Sequence, residues 1–260
     1  MYATERQQLI ESLIAAEGRV VVVDLARRFG VTTETVRRDL DQLEQTGAIR
    51  RVHGGAVART RTSTAETSLA ERGTRRSEAK LAIASRALDA LPAGFEGSVY
   101  LDAGTTTAAL ATLLGRRSQG AGVLEVVTHS MTVAHLLAGA PGLSLTAIGG
   151  RVRGLTAAAV GAQTVDAISR LRPDIAFIGT NGLSASFGLS TPDPDEAAVK
   201  RAIIAASRRT IVLADAEKLD AELLVSFGAV DEIDVLVSDA APGSDLDDAL
   251  RLADAEVWLA

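Results

Sequence analysis

Residues 32–56 read TTETVRRDLDQLEQTGAIRRVHGGA. Thr32 and Thr33 stand where a helix is capped, because a threonine hydroxyl accepts the unpaired N–H groups of a first helical turn. Val36, Leu40 and Leu43 recur at i, i+4 and i+7, which turns one apolar face toward a core. Gly47 offers a left-handed stop. The other face carries Thr35, Arg37 and Arg38. Residues 48–57 then alternate weakly and contain Gly54-Gly55, the pattern of a two-stranded wing bearing Arg50, Arg51 and His53.

Upstream, Thr4 with Gln7 resembles a capping box. Leu9, Ile10, Leu13 and Ile14 follow as a helical stripe, and Gly18 ends it. Val20 to Val22 suit a short strand. Asp24 to Phe29 read as a second helix, closed by Gly30. Helix, glycine turn, capped helix, glycine stop and basic wing, in that order, predict a winged helix-turn-helix over residues 1–57.

Such a unit reads duplex DNA. Thr32, Thr33, Thr35, Arg37 and Arg38 would meet bases and phosphates from the helix, since threonine offers a hydroxyl and a methyl and arginine a fork of donors. Arg50, Arg51 and His53 would meet the backbone from the wing. Taken alone, Arg37 and Arg38 are solvated charges paired with Glu34 or Asp41; the order of elements around them favours DNA. RNA fits poorly, because residues 1–61 hold only Tyr2 and Phe29 as stacking aromatics.

Charge is divided along the chain. Residues 1–61 carry ten arginines and eight acids, a balance of +2, while the remainder carries 17 basic and 25 acidic residues, a balance of −8. A mildly basic head on an acidic body fits a DNA reader joined to a ligand binder. A head charge of +2 disfavours a non-specific architectural binder, which relies on many phosphate contacts. There is no cysteine, and no apolar run approaches the roughly 18 residues of a membrane span. The charged opening MYATERQQLIES is not a signal peptide, so the cytoplasm is the expected location and no membrane is expected.

Residues 58–75 are polar and without period, and read as a linker. Ser77 is the expected cap of a helix running to Pro92. Beyond it, strands and helices alternate. The buried-strand candidates are Ser98–Asp102, Leu124–Thr128, Leu143–Ile148, Asp174–Gly179, Thr210–Ala214, Asp234–Ser238 and Glu256–Leu259. Alternation of this kind predicts an α/β domain over 76–260 with a doubly wound, mostly parallel sheet.

Asp102-Ala-Gly104-Thr105-Thr106-Thr107 follows a strand and opens a helix. Glycine, hydroxyls, amides and a helix N-terminus together suit phosphate. Singly, such a threonine run is only a cap. Other strand ends supply His129-Ser130, Gly149-Gly150 and Asn181-Gly182, and in a parallel sheet these loops converge on one crevice. Lys200 and Lys218, surface charges if judged alone, are candidates to neutralise the anion. The three histidines lack metal spacing, and neither metal nor cofactor is expected.

Taken together, VVVDLARRFGVTTETVRRDLDQLEQTGAIRRVHGGA (21–56), LDAGTTTAAL (101–110), VVTHSMTVA (126–134), IGGRVR (148–153), VGAQTVDAI (160–168), FIGTNGLS (177–184), STPDPDEAAVKRAI (190–203) and VLADAEKL (212–219) resemble the DeoR-type sugar-operon repressors over nearly the whole chain. The resemblance implies a body like the ribose-5-phosphate isomerase and CoA-transferase fold, a phosphorylated sugar as effector, homo-oligomers, and repression of sugar or polyol operons. It implies an effector shell of Asp102, Gly104, Thr105, Thr106, His129, Ser130, Gly150, Asn181, Gly182, Glu196 and Lys200, with Thr107 and Lys218 nearby. His129-Ser130 stands where relatives often carry Asn-Ser. Asp215-Ala-Glu-Lys218 stands where many carry Asp-Ser-Ser-Lys, and Asp220 falls near a common glycine. STPDPDEAAVKRAI looks most like fructose-operon repressors, which points to fructose 1-phosphate. The competing class is an enzyme, an isomerase or CoA-transferase with an appended head, in which Asp102, Glu196 and Lys200 do acid–base work.

Overall fold

The computed structural model describes residues 3–17, 19–45, 48–52, 54–58, 63–64, 66–92, 94–117 and 124–260. The chain divides into two compact units, Met1–Thr62 and Ser63–Ala260.

The N-terminal unit runs α1 (Ala3–Glu17), β1 (Arg19–Val21), α2 (Val22–Phe29), α3 (Thr33–Gln45), β2 (Ile49–Val52) and β3 (Gly55–Ala58). Its strands pair antiparallel in the order β1-β3-β2. Gly30, at φ 64°, ends α2 in the left-handed region that a side chain disfavours. Thr32 caps α3, its Oγ1 accepting the Thr35 N–H at 3.2 Å. Val36, Leu40 and Leu43 are buried with Val22, Leu25, Ala26, Ile49 and Ala56. The expected stripe on α1 is narrower than four residues: Ile10 and Ile14 are buried, whereas Leu9 is exposed. The buried row continues one turn earlier in a charged residue. Arg6 shares the i, i+4 row of Ile10 and Ile14, and it meets Asp39 of α3 in a buried ion pair, with Nη2 donating to Oδ1 at 2.9 Å. Gly18, Gly47 and His53, read as two helix stops and a wing contact, lie outside the described residues.

The C-terminal unit begins with α4 (Leu69–Thr74) and α5 (Ser77–Ala87). α4 lies within the stretch read as linker. Its nucleus is a capping box: Ser68 Oγ accepts the Glu71 N–H at 3.3 Å, and Glu71 Oε2 accepts the Ser68 N–H at 2.9 Å. The polar composition around it hides this four-residue signal. Ser77, expected as the cap of α5, is its first helical residue; Arg76 precedes it at φ 50° and is ion-paired to Asp239.

There follow β4 (Ser98–Leu101), α6 (Thr105–Arg117), β5 (Leu124–Thr128), α7 (Met131–Leu137), β6 (Leu143–Ala147), β7 (Arg151–Arg153), β8 (Ala158–Val160) and α8 (Ala162–Ser169). Then come β9 (Ile175–Gly179), β10 (Gly182–Ser184), β11 (Gly188–Thr191), α9 (Pro194–Ala206), β12 (Thr210–Leu213), β13 (Val225–Gly228), β14 (Val235–Ser238), α10 (Ser244–Leu252) and β15 (Glu256–Leu259).

The seven expected strands form one parallel sheet in the order β15-β14-β12-β9-β4-β5-β6. Both faces are covered, so these strands are almost continuously apolar and split their side chains by alternation. Val99, Leu101, Ile175, Phe177, Ile211, Leu213, Val235 and Val237 pack with α5, α6 and α7 on one side. Tyr100, Ala176, Ile178, Val212 and Leu236 pack with α8, α9 and α10 on the other.

Two smaller sheets were not expected: the hairpin β7-β8 and the antiparallel β10-β11-β13. Their strands are three or four residues long, too short to show a period. Among the described residues no helix is long and apolar enough to cross a membrane.

Candidate functional site

From β4 the sheet grows one way through β5 and β6, and the other way through β9, β12, β14 and β15. The split between β4 and β9 is the switch point at which adjacent loops part and leave a crevice. Asp102 leaves β4 there, and Gly179 ends β9.

Asp102 is fully buried. Its Oδ2 accepts the Gly179 N–H at 2.9 Å and is ion-paired to Lys200 of α9. Lys200 also donates to the Gly179 carbonyl at 2.8 Å and sits 5.4 Å above the Phe227 ring. With 5% exposure Lys200 is not the surface charge that its residue type suggests. It clamps β4 to β9. Asp102 Oδ1 has no hydrogen-bond partner and lies 3.6 Å from His129 Nε2.

His129 Nδ1 shares a hydrogen bond with the Tyr100 hydroxyl at 3.0 Å, and the tautomer with its proton on Nε2, toward Asp102, makes Nδ1 the acceptor of that bond. Burial pushes the His129 pKa down to about 4; the Asp102 charge opposes this and the Lys200 charge adds to it. The imidazole is therefore neutral near pH 7. An unfolded histidine binds its proton from pH 6.5 downward, and this one only near 4, so unfolding takes up a proton between those values. Stability should be level above pH 6.5 and fall as pH drops toward 4, by up to about 3 kcal/mol at 1.36 kcal/mol per unit. Thermal melts across that range should show the slope in the wild type and lose it in His129→Gln.

Around this floor the loops close in. Gly104, at φ 151°, leads into α6, accepting from the Ala108 N–H at 3.0 Å and from the buried Thr107 hydroxyl at 3.0 Å. Thr107 thus faces its own loop, whereas Thr105 and Thr106 are half-buried and Thr105 lines an open cavity. Ser130 caps α7 through the Val133 N–H at 3.3 Å. Gly150, at φ 154°, has no space for a side chain, because a Cβ would collide with Thr164 Oγ1, the donor to the Gly149 carbonyl. A Cβ on Gly182 would strike the Ala221 carbonyl. The Asn181 side-chain oxygen accepts from Thr191 at 3.1 Å.

Of the expected shell only Thr105 lines that cavity; Glu196 and Lys218 are engaged elsewhere. Glu196 is buried and held by the Thr156 hydroxyl and by Arg153 at 3.2 Å. Lys218 lies half-buried in a 3-10 turn, Ala216–Lys218, which Asp215 caps.

Arg153 is the cation that sequence reading passed over. It pairs with Glu66 at 2.6 Å, Asp193 at 3.0 Å and Glu196 at 3.2 Å. Burial alone would ease its proton off, but the Glu66 bond and the charges of Glu196 and Asp193 reverse this and raise its pKa. The arginines in IGGRVR give no sign of three carboxylates gathered from two distant segments, Glu66 and the start of α9. Among the described residues no His, Cys, Asp or Glu group could hold a metal.

On the N-terminal unit, α3 carries Thr33, Arg37 and Arg38 exposed, with Arg37 3.6 Å from Glu34. Arg51 turns back instead: it is ion-paired to Asp41 and donates to the Arg37 carbonyl at 3.2 Å, tying the wing to α3. Arg50 is placed on β2.

The chain matches two family models. Residues 6–62 match the DeoR-like helix-turn-helix domain, and residues 75–240 match the DeoR C terminal sensor domain. It is 34% identical to the HTH-type transcriptional regulator GlpR of Haloferax volcanii over 94% of this chain and 93% of that one. It is 31% identical to the glycerol-3-phosphate regulon repressor of Escherichia coli over 93% of each chain. It is 32% identical to the HTH-type transcriptional regulator FruR of Bacillus subtilis over 92% of each. A ribose-5-phosphate isomerase solved with phospho-erythronic acid is a partial likeness, with TM-score 0.41 and 19% identity over 55% of this chain and 54% of that one. The chain belongs to the DeoR family of transcriptional regulators, with the family's helix-turn-helix and sensor domains on one polypeptide.

Proposed function

We propose that the protein represses a sugar-utilisation operon and leaves its operator when a phosphorylated sugar binds the C-terminal unit. The observation that carries this is the pairing, within one family member, of a helix face bearing exposed Thr33, Arg37 and Arg38 with a sheet switch point from which Asp102 and the Gly104–Thr107 loop emerge, Thr105 lining an open cavity. The effector shell is Asp102, Gly104, Thr105, Thr106, His129, Ser130, Gly150, Asn181 and Gly182, with Glu196 and Lys200 bracing it from α9. Fructose 1-phosphate is the first candidate. Glycerol 3-phosphate is the second, on the name of the Escherichia coli relative.

The protein acts as a homo-oligomer in the cytoplasm, its paired heads matching two half-sites. It binds and does not catalyse. In support, the charges an isomerase would use are tied up: Asp102 and Lys200 in each other, and Glu196 in Thr156 and Arg153. A coupled isomerase assay with sugar phosphates should show no turnover.

Binding of effector and operator must oppose each other by one factor, typically about 5- to 150-fold. Calorimetry of the full chain, with effector titrated in the presence and absence of operator duplex, should give that ratio. Equal affinities would overturn the proposal.

A further inference from the structure

Two helices begin at the carboxyl edge of the main sheet. α6 starts at Thr105, shortly after β4 ends at Leu101. α5 starts there too. Arg76, the residue before it, is ion-paired to Asp239, which follows β14, and stands 3.9 Å from Asp215, just beyond β12. Ser77, Lys80 and Leu81 recur at i, i+3 and i+4 on α5, and Thr105, Ala108 and Ala109 do the same on α6. These two rows line one open cavity of about 1020 Å³.

Lys80 is the cation of that wall, and it is only 7% exposed. Its ammonium donates to the Arg72 and Arg75 carbonyls, the latter at 2.6 Å. Both acceptors precede α5, so the side chain leans back toward the carboxyl edge, as helical side chains do. An ammonium has three donors, and these carbonyls take two. Neither carbonyl neutralises charge, and among the described residues no carboxylate is ion-paired to Lys80. Burial pushes its pKa below the usual lysine range, against the pull of Asp215. Buried charges are ordinarily paired. Lys200, the other buried lysine, already has Asp102. Tying α4 to α5 through two carbonyls requires a donor but not a charge.

We propose that Lys80 is the phosphate-binding cation of the effector site, with the phosphate lying between the first turns of α5 and α6 beside Thr105. This rests on the sugar-phosphate reading above. The phosphate supplies the counter-charge that Lys80 lacks and accepts its third N–H. Thr105 adds a hydroxyl, and the first turn of α6 adds amide donors and the positive end of a helix dipole.

The test is calorimetry of the full chain with fructose 1-phosphate, glycerol 3-phosphate and inorganic phosphate. Wild type is compared with Lys80→Gln and Lys80→Met, each checked for a wild-type unfolding transition. Both should bind the sugar phosphate about 10- to 100-fold more weakly, the loss expected for a hydrogen bond to a charged group. Lys80→Gln keeps an N–H donor for the α4 carbonyls, so a lysine with only that structural role would leave its affinity unchanged. A second pair reads the same place from the surface. Leu81 lines the cavity and is 53% exposed, so Leu81→Glu and Leu81→Gln should both fold. The glutamate should weaken phosphate binding about 5-fold relative to the glutamine, by charge repulsion at short range. Folded Lys80 variants that bind like wild type overturn the assignment and leave the sugar-phosphate reading standing. If neither Lys80 variant folds, equal affinities in the Leu81 pair overturn it instead. A wild type that binds none of the three probes overturns the sugar-phosphate reading and this assignment with it.

Discussion

Replacing Asp102 by alanine should lower the melting temperature of the C-terminal unit by about 6 to 20 °C. The substitution leaves the Lys200 ammonium buried without its counter-ion, and breaking a buried pair from one side costs about 3–5 kcal/mol. A domain of this size loses roughly 2–4 °C per kcal/mol. The ammonium would retain the Gly179 carbonyl, which neutralises no charge. The companion variant is Asp102→Leu with Lys200→Met. Removing both charges together is often neutral, so the double variant should recover most of the loss. A single variant that melts within about 2 °C of wild type would mean that the buried pair adds little to the backbone pairing of β4 with β9. Effector binding should fall with Asp102→Ala in either case, since the loop from Gly104 to Thr107 starts from this residue.

Replacing Arg37 and Arg38 together by alanine should weaken specific operator binding at least about 30-fold at one salt concentration, from about 1–3 kcal/mol per arginine contact. Both side chains are exposed on α3, outside the Val36, Leu40 and Leu43 core, so the fold should be unchanged. Arg51→Ala should act differently. Its guanidinium braces the wing against Asp41 and the Arg37 carbonyl, so its loss should loosen the N-terminal unit as well as weaken DNA binding. A gel shift unchanged in the double variant would remove α3 as the reading helix.

Local signals carried most of the architecture. The recognition helix, its cap at Thr32 and its buried Leu40 row are written in residues a few positions apart. So are the seven strands of the main sheet, which appear as short apolar runs between turns. The hairpin β7-β8 and the sheet β10-β11-β13 were not legible, because three- or four-residue strands show no period. The helix α4 was missed for another reason: one Ser68–Glu71 capping box is a faint mark within a polar stretch.

What sequence alone determined is the order of the N-terminal helices and of the seven main-sheet strands, the DeoR pattern and the strand-end loops rich in glycine and threonine. Each depends on neighbours along the chain. The partners of the charges were decided only by tertiary structure. Lys200 reads as a surface lysine until the sheet order sets β9 beside β4 and brings it to Asp102, 98 residues away. Arg153 reads as one more basic residue until Glu66, Asp193 and Glu196 converge on it. Arg6 and Asp39 meet in the same way. An ion pair needs only opposite charge and proximity, and the sequence lists many opposite charges but no distances.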